Sequence, residues 1–529
     1  MKGKILDYCQ EKNVLLDEVL LNIFSQINDF NDVKLLINYI KRTTGKRFIS
    51  FELINKNNSL LKKIFTSENL VKKDTLKTIK KLFKITDKLS ELPQEIVPKK
   101  ENFFENNVKI KTSFVRPGKP LVVKDFVNYF RKRYISFSKI LQEKGELENL
   151  MSISKISKEK QKVSIIGMVR SKKQTKNKNI ILEVEDLTGV IKILISSQKE
   201  DLIEETEDIS LDSVLGFKGF SSGDIIFVNK IIFPETRLSE RKKSPEEEYA
   251  IFLGDLHYGS KKFLQKSFEG FLNYIKGNIP NTPEVKKIKY IFIVGDLVTG
   301  IGNYPNQEED LLVDDLEEQF INLSKLLKQI PERIKIIISP GNHDCVRLME
   351  PQPILDERYA WPLYDLKNII FTENPSIVNI GQTQSFPGWD VLIYHGFSYP
   401  YYANTVSKLM IEKTMNSPEK IMKYLLKNRH LAPTHGSTQY FPGEKDPFFI
   451  KKAPDIFLSG HTHKSGVAYE NNVLIISVSA WEGMTSYQEK FGNKPDHCKV
   501  PLLNMKTRAI KILDFEIDEG IKTYSEKEE

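Results

Sequence analysis

Between residues 251 and 463 a short apolar run breaks off five times at a glycine that adjoins an aspartate, an asparagine or a histidine. Ile251-Phe252-Leu253 leads into Gly254-Asp255-Leu256-His257, Ile291 to Val294 into Gly295-Asp296, and Ile334 to Ile338 into Gly341-Asn342-His343-Asp344. Val391 to Tyr394 leads into His395-Gly396, and Ile456-Phe457-Leu458 into Gly460-His461-Thr462-His463. Each is the pattern of a strand buried on both faces that delivers polar side chains to the carboxyl end of a sheet. One Asp-x-His arises easily by chance; five such islands in one order do not. Between them, Phe263, Phe268, Phe271 and Ile275, and then Leu316, Phe320, Leu323 and Leu327, recur at helical spacing. A layered α/β domain is therefore expected over 241–520, with a charged tail at 521–529.

The polar residues of the islands are Asp255, His257, Asp296, Asn342, His395, His461 and His463. These seven mix carboxylate, imidazole and one amide, more ligands than a tetrahedral zinc site takes. They suit two divalent ions that share a carboxylate. Oxygen and nitrogen donors favour manganese or iron, with zinc possible, and the lack of thiolate ligands argues against a structural zinc. Two ions roughly 3.5–4 Å apart can stabilise in-line attack on phosphorus, so phosphoester hydrolysis is the expected chemistry. His343, beside a ligand, is the candidate catalytic acid for the leaving alkoxide, with Asp344 orienting its ring. All eight histidines lie in this domain. His430, His435 and His497 fall outside the islands and are expected to be structural, although His435, on a glycine- and proline-rich loop, is also a candidate substrate contact.

The preceding half of the chain carries no chemistry of this kind. Residues 1–70 read as a small helical module, with Val19, Leu20, Ile23, Phe24 and Ile27 on one helix and Val33, Leu36, Ile37 and Ile40 on another capped by Asn31 or Asp32. A basic linker is expected over 71–115, where an amphipathic lysine-rich stretch at 72–88 gives way to proline and asparagine. A helical connector over 116–159 has Asp125 as its expected N-cap and Phe126, Phe130, Tyr134, Phe137 and Leu141 as its apolar stripe. Over 160–240 the period changes to two, with turn chemistry at Asp186 to Gly189, as in a small OB-type barrel. Few aromatics accompany its lysines, which favours a structural or partner-binding barrel over direct DNA contact. The fold class is thus multidomain α+β: a small N-terminal helical domain, an OB-type β-barrel, then a layered α/β domain.

A net charge of +9 over 529 residues permits a polyanionic partner without requiring one. Three scattered cysteines (Cys9, Cys345 and Cys498) lack metal-type spacing and fit a reducing compartment. Met1-Lys2-Gly3-Lys4 has no signal-peptide core and no run approaches transmembrane length, so a soluble, cytoplasmic protein without a membrane partner is expected.

The ordered motifs Asp-x-His, Gly-Asp, Gly-Asn-His-Asp, His-Gly and Gly-His-x-His resemble the calcineurin-like metallophosphoesterase superfamily. With the domain order, and with Phe126 to Leu141, His395 to Ser398, His430 to Thr434, Pro454 to Phe457 and Ala480-Trp481-Glu482, the whole chain resembles the small-subunit family of archaeal family-D DNA polymerases. The resemblance implies a manganese-dependent 3′–5′ proofreading exonuclease bound to a large polymerising subunit. It implies primer-template or single-stranded DNA as substrate, and other replication factors as further candidate partners. Carried over by position, Asp255, His257 and His463 hold one metal, Asn342, His395 and His461 the other, Asp296 bridges them, and His343 is the catalytic histidine. A catalytically silent scaffold subunit and a free-standing metallophosphodiesterase are the competing readings.

Overall fold

A computed structural model describes residues 1–12, 14–44, 48–51, 54, 75, 108–112, 120–490, 494–517 and 522–525. The chain divides into two compact units, Met1–Phe103 and Phe104–Glu529. The amphipathic stretch expected at 72–88 and most of the 71–115 linker lie outside the described residues. Among the described residues no helix is long and apolar enough to cross a membrane.

Among the described residues of the first unit three helices, Lys2–Glu11, Glu18–Ser25 and Phe30–Thr44, close on Ile5, Leu20, Phe24, Val33, Leu36, Ile37 and Ile40. The second helix starts because the Asp17 carboxylate accepts the Leu20 amide at 2.8 Å, relieving one unpaired first-turn donor. The third begins at Phe30, ahead of both expected caps, Asn31 and Asp32, with Asp29 accepting from the Asn31 amide instead.

In the second unit Val123–Gln142 is a helix in which Asp125 lies inside the first turn and accepts from the Val122 amide rather than standing at the cap. Five strands follow, Gln161–Gln174, Ile180–Glu185, Val190–Ile195, Val214–Ser222 and Ile225–Ile232, and close into a barrel. Alternation explains them: Ile180, Leu182 and Val184 point inward with Ile191, Ile193 and Ile195 opposite. Gly219 permits the register shift that closes the last pair, since a side chain there would meet the Phe227 carbonyl.

Two sheets then pack face to face. The first runs, in spatial order, Ile369–Phe371, Lys335–Ser339, Ile288–Val294, Tyr249–Leu253, Lys499–Asn504, Ile510–Asp514 and Lys522–Ser525. The second runs Gly466–Glu470, Val473–Ser477, Ile456–Ser459, Trp389–Ile393, Ser376–Ile380 and Val108–Ile110. Phe252, Phe292, Val294 and Ile337 of one face meet Val391, Ile393, Ile456, Leu458 and Ile476 of the other, and helices cover both outer surfaces. This double coverage is why central strands such as Tyr249–Leu253 are apolar along their length. Two segments depart from expectation: Val108–Ile110, inside the basic linker, is an edge strand, and Lys522–Ser525, inside the charged tail, is another.

The connector helix is bolted to this domain by a buried charge cluster. Arg133 donates Nε to Asp446 Oδ2 at 2.9 Å, Nη1 to the Pro433 carbonyl and Nη2 to the Tyr129 hydroxyl, which itself donates to Asp446 Oδ1 at 2.7 Å. His430 Nδ1 accepts from the Ala432 amide, so the neutral ring donates Nε2–H to Asp446. Burial alone would push the Asp446 carboxyl up, but His430 and Arg133 hold it well below the carboxylate range. Burial, with Arg133 beside it, pushes the His430 imidazole down to about 4 against the pull of Asp446.

Removing the cation leaves Asp446 buried with only the Tyr129 and His430 hydrogen bonds, so Arg133→Met should lower stability by about 3 kcal/mol in denaturant unfolding. The His430 effect has a definite sign. Its folded pKa lies below the unfolded value of about 6.5, so the unfolded chain binds more protons between those values and stability rises with pH there. Wild type should lose stability from about pH 6.5 to about pH 4, and His430→Gln should lose measurably less over that window.

Candidate metal centre

Every island ends at the same edge of the two sheets. Beyond the strand ends the chain turns sharply: Asp255, His257, Asp296, His461 and His463 all have φ between +48° and +69°. Left-handed backbone costs a non-glycine residue roughly 1–3 kcal/mol, and a cluster of such residues is the mark of a site whose geometry is enforced by its surroundings. The enforcing bonds are identifiable. Asp255 accepts from the His461 amide at 3.0 Å, Asp296 Oδ1 from the His343 amide at 2.8 Å, and the His395 amide donates to Asn374 Oδ1 at 2.8 Å. Two glycines are required by close approach. A Cβ on Gly341 would lie 2.2 Å from Asp296 Oδ1, and one on Gly295 would lie 2.4 Å from His395 Nδ1.

All seven residues singled out as ligands converge, and His343 joins them. Three groups place ligand atoms within 4.8 Å of one another: Asp255, His257 and His463; His257, Asp296 and His343; and Asp296, His395 and His461. Asp296 belongs to two of them. Its Oδ2 lies 3.3 Å from His395 Nε2 and 3.8 Å from His257 Nε2, while Asn342 Oδ1 is 3.1 Å from His395 Nε2. His395 Nδ1 donates to the Val294 carbonyl at 3.0 Å, which turns Nε2 to the centre.

The electrostatics of this set are unbalanced. Burial pushes the Asp255 carboxyl well up, and burial pushes the His257 ring well down, with His343 and His463 adding to it. Burial also takes His461 to about 3 and His463 to about 4. Against burial, Asp296 raises His395 to about 10, and His395 in turn keeps Asp296 low. His257 and His463 face each other nitrogen to nitrogen at 3.0 Å, and the buried Nδ1 of His257 has no hydrogen-bond partner. Buried carboxylates beside imidazoles whose nitrogens point at one another fit divalent cations shared through one carboxylate.

His343 is held differently from expectation. The Asp344 carboxylate is occupied elsewhere, accepting the amides of Leu297 at 2.7 Å, Val298 at 3.2 Å and Gly341 at 2.8 Å, so it pins the Asp296 and Asn342 turns together rather than orienting the ring. The Thr299 carbonyl takes that part, 2.8 Å from His343 Nδ1, with Asn303 Nδ2 at 3.2 Å. The ring lines a cleft of about 960 Å³ together with His257, Asp296, Asn342, His461 and His463. His430 sits in the Arg133 cluster. His435 is turned away from this cleft: its Nδ1 meets the Tyr440 hydroxyl, its amide donates to Asp212, and Phe126 and Phe130 pack against its ring.

Sequence reasoning passed over Asn374, which seats His395, and Gln488, whose side-chain amide lies 2.9 Å from His463 Nδ1. Neither adjoins a glycine island. Glu482 was visible only as part of Ala480-Trp481-Glu482; it lines the cleft, and burial raises its carboxyl to about 7.

Residues 250–465 match the model of the calcineurin-like phosphoesterase family. The chain is similar to the DNA polymerase II small subunit of Pyrococcus furiosus, 36% identical over 427 residues that cover 78% of this chain and 68% of that protein. It is also similar to the DNA polymerase II small subunit of Methanothermobacter thermautotrophicus, 34% identical over 396 residues covering 74% of this chain and 79% of that one. Among solved structures, zinc-complexed Vps29 of Entamoeba histolytica is alike over 53% of this chain and 98% of that one, at 11% identity and a TM-score of 0.27, too distant to carry an argument.

A ligand that binds only the folded state stabilises it, by about 2.7 kcal/mol at a hundred times its Kd. Saturating Mn²⁺ should therefore raise the Tm of the purified chain in a thermal melt. Gly341→Ala, which drives Asp296 from its seat, should remove most of that rise while the metal-free melt stays cooperative.

Proposed function

The chain belongs to the DNA polymerase II small-subunit family, and from that premise we propose that it removes nucleotides from DNA 3′ ends in company with a large polymerising subunit. The observation that carries the reading is the convergence of seven ligand-type side chains and His343 at one sheet edge, where five of the seven and His343 line the cleft. A scaffold would have no use for five strained left-handed residues at one edge.

In this reading Asp255, His257 and His463 hold one divalent ion and Asn342, His395 and His461 the other, with Asp296 shared; manganese suits the oxygen and nitrogen donors, iron or zinc less so. Such ions supply Lewis acidity and a hydroxide at neutral pH. The chain's own residues do the rest. Asp344 ties the two turns that carry Asp296 and Asn342, and the Thr299 carbonyl fixes the His343 tautomer at Nδ1. With Nδ1–H held there, it is the imidazolium form of His343 that gives its second proton, from Nε2, to the 3′ oxygen that leaves as the phosphorus–oxygen bond breaks, and the ring is left neutral. The five-stranded barrel, read as OB type, and the helical module of residues 1–70 serve assembly with the large subunit and other replication factors. Primer-template or single-stranded DNA enters the cleft, and the protein works in the cytoplasm.

Purified chain with Mn²⁺ should shorten a 3′-mismatched primer from its 3′ end. His343→Ala should slow the cut by about 10²–10⁴-fold, the usual contribution of a positioned acid, while keeping the Mn²⁺-dependent rise in Tm. Absence of digestion even with the large subunit present would leave a scaffold. Digestion untouched by His343→Ala would move the chemistry to another site.

A further inference from the structure

The walls of the cleft differ in chemistry. Near Asp255, His257 and His463 they are polar: Asn303 contacts His343, Gln488 contacts His463, and Tyr304, Glu482 and Thr485 stand beside them. Near His395 and His461 an apolar strip runs along them, with Asn404, Thr414 and Asn416 at its side. Phe397 follows His395 by two residues, and its ring centroid lies 5.6 Å from that of His461, tilted by 61°. Pro400 and Ala403 of the helix Tyr399–Thr405 continue this wall, and Met410 and Met415 extend it. At its outer end Met410 is 53% exposed and the adjoining Ile411 77% exposed. Carboxylates are absent from this wall. Of the described residues that line the cleft, Asp296 and Glu482 alone carry one, the first in the ligand set and the second on the polar side. Lys413, its backbone left-handed at φ +50°, supplies the one lysine or arginine among those lining residues.

A nucleotide is amphipathic in the same way, with a charged sugar-phosphate and an apolar base face. We propose that the apolar wall seats the base of the 3′-terminal nucleotide, with Phe397 as its stacking surface and Lys413 as a contact for the strand's phosphates. The proposal rests on the nuclease reading of the same cleft and adds to it which residues hold the substrate. Phe397 is suited to the part because its position is fixed: it is tethered two residues from His395 and set against the ring of His461, so a base stacked on it lies next to the centre. Stacking on an aromatic ring serves every base alike, which suits an enzyme that must remove any of the four. The cleft, at about 960 Å³, lies at the top of the roughly 300–1,000 Å³ range of small-molecule sites, room for a terminal nucleotide and part of the next.

The test compares an oligo-dT whose 3′ end carries its base with one ending in an abasic tetrahydrofuran residue. Both are digested with Mn²⁺ by the full chain and by Phe397→Ala and Phe397→Tyr. Wild type should favour the base-bearing end, and Phe397→Ala should raise KM roughly ten-fold more for that end than for the abasic one, with Phe397→Tyr close to wild type. Fluorescence anisotropy of the same oligonucleotides, with Ca²⁺ in place of Mn²⁺, reads the seat independently of cleavage. If wild type binds but never cuts, the nuclease reading fails, and the anisotropy of Phe397→Ala still decides the seat. Equal discrimination by wild type and Phe397→Ala in both assays overturns the proposal. So does a Phe397→Ala chain that has lost the Mn²⁺-dependent rise in Tm, which marks a structural role, or one whose defect is confined to association with the large subunit, which marks a protein contact.

Discussion

The Asp296 carboxylate is the constraint on which the C-terminal half of the chain depends. It is 2% exposed, with burial raising its carboxyl and His395 and His343 holding it low, and an unpaired buried carboxylate costs several kcal/mol even after the protein relaxes around it. Its compensation comes from sequence-distant groups: the His343 amide, His395 Nε2 and His257 Nε2. The His343 amide and His257 reach it because three parallel strands end side by side, Tyr249–Leu253, Ile288–Val294 and Lys335–Ser339, with registers that align Ile251, Ile291 and Ile336. His395 arrives from the end of Trp389–Ile393 in the facing sheet. Gly295 and Gly341 clear the space their turns need. Register, glycine placement and ligand identity are thus one requirement seen at three scales.

Local strain at this edge is carried by the layers behind it. Five left-handed residues at roughly 1–3 kcal/mol each would unfold a small domain unaided. The two sheets pack a continuous apolar face against each other, and helices cover both outer surfaces. Truncating one such core residue, Ile293 for example, is worth about 2–5 kcal/mol, comparable to the strain at two ligand positions. The Arg133, Tyr129, His430 and Asp446 cluster has a different part. Buried charge contributes little net stability, but it admits one seating of the connector helix, since any slip along the helix would strand a charge.

The centre was legible in the sequence for a physical reason. A strand buried on both faces must be apolar throughout, and a ligand at its end must sit in a tight turn, so glycine and ligand appear together in one short stretch. The residues that support the ligands leave no such trace. Asn374 follows no island, and its contact with His395 depends on how two strands pair. Arg133 looks like one more solvated lysine or arginine on a basic helix, and only Asp446, 313 residues away, makes it a core residue. Asp344, next to His343, invited the reading that it orients the ring, yet its carboxylate faces the backbone amides of neighbouring turns. The edge strand Val108–Ile110 was equally hidden, because three residues of mixed polarity become a strand only when Ser376–Ile380 offers its free edge.

The central claim is that one shared carboxylate joins two cation sites in this cleft, and anomalous diffraction at the manganese edge from crystals grown with Mn²⁺ tests it most directly. The account predicts two peaks on either side of Asp296, one against Asp255, His257 and His463 and one against Asn342, His395 and His461, both lost in Asp296→Ala. A single peak, or a pair that survives Asp296→Ala, would contradict it.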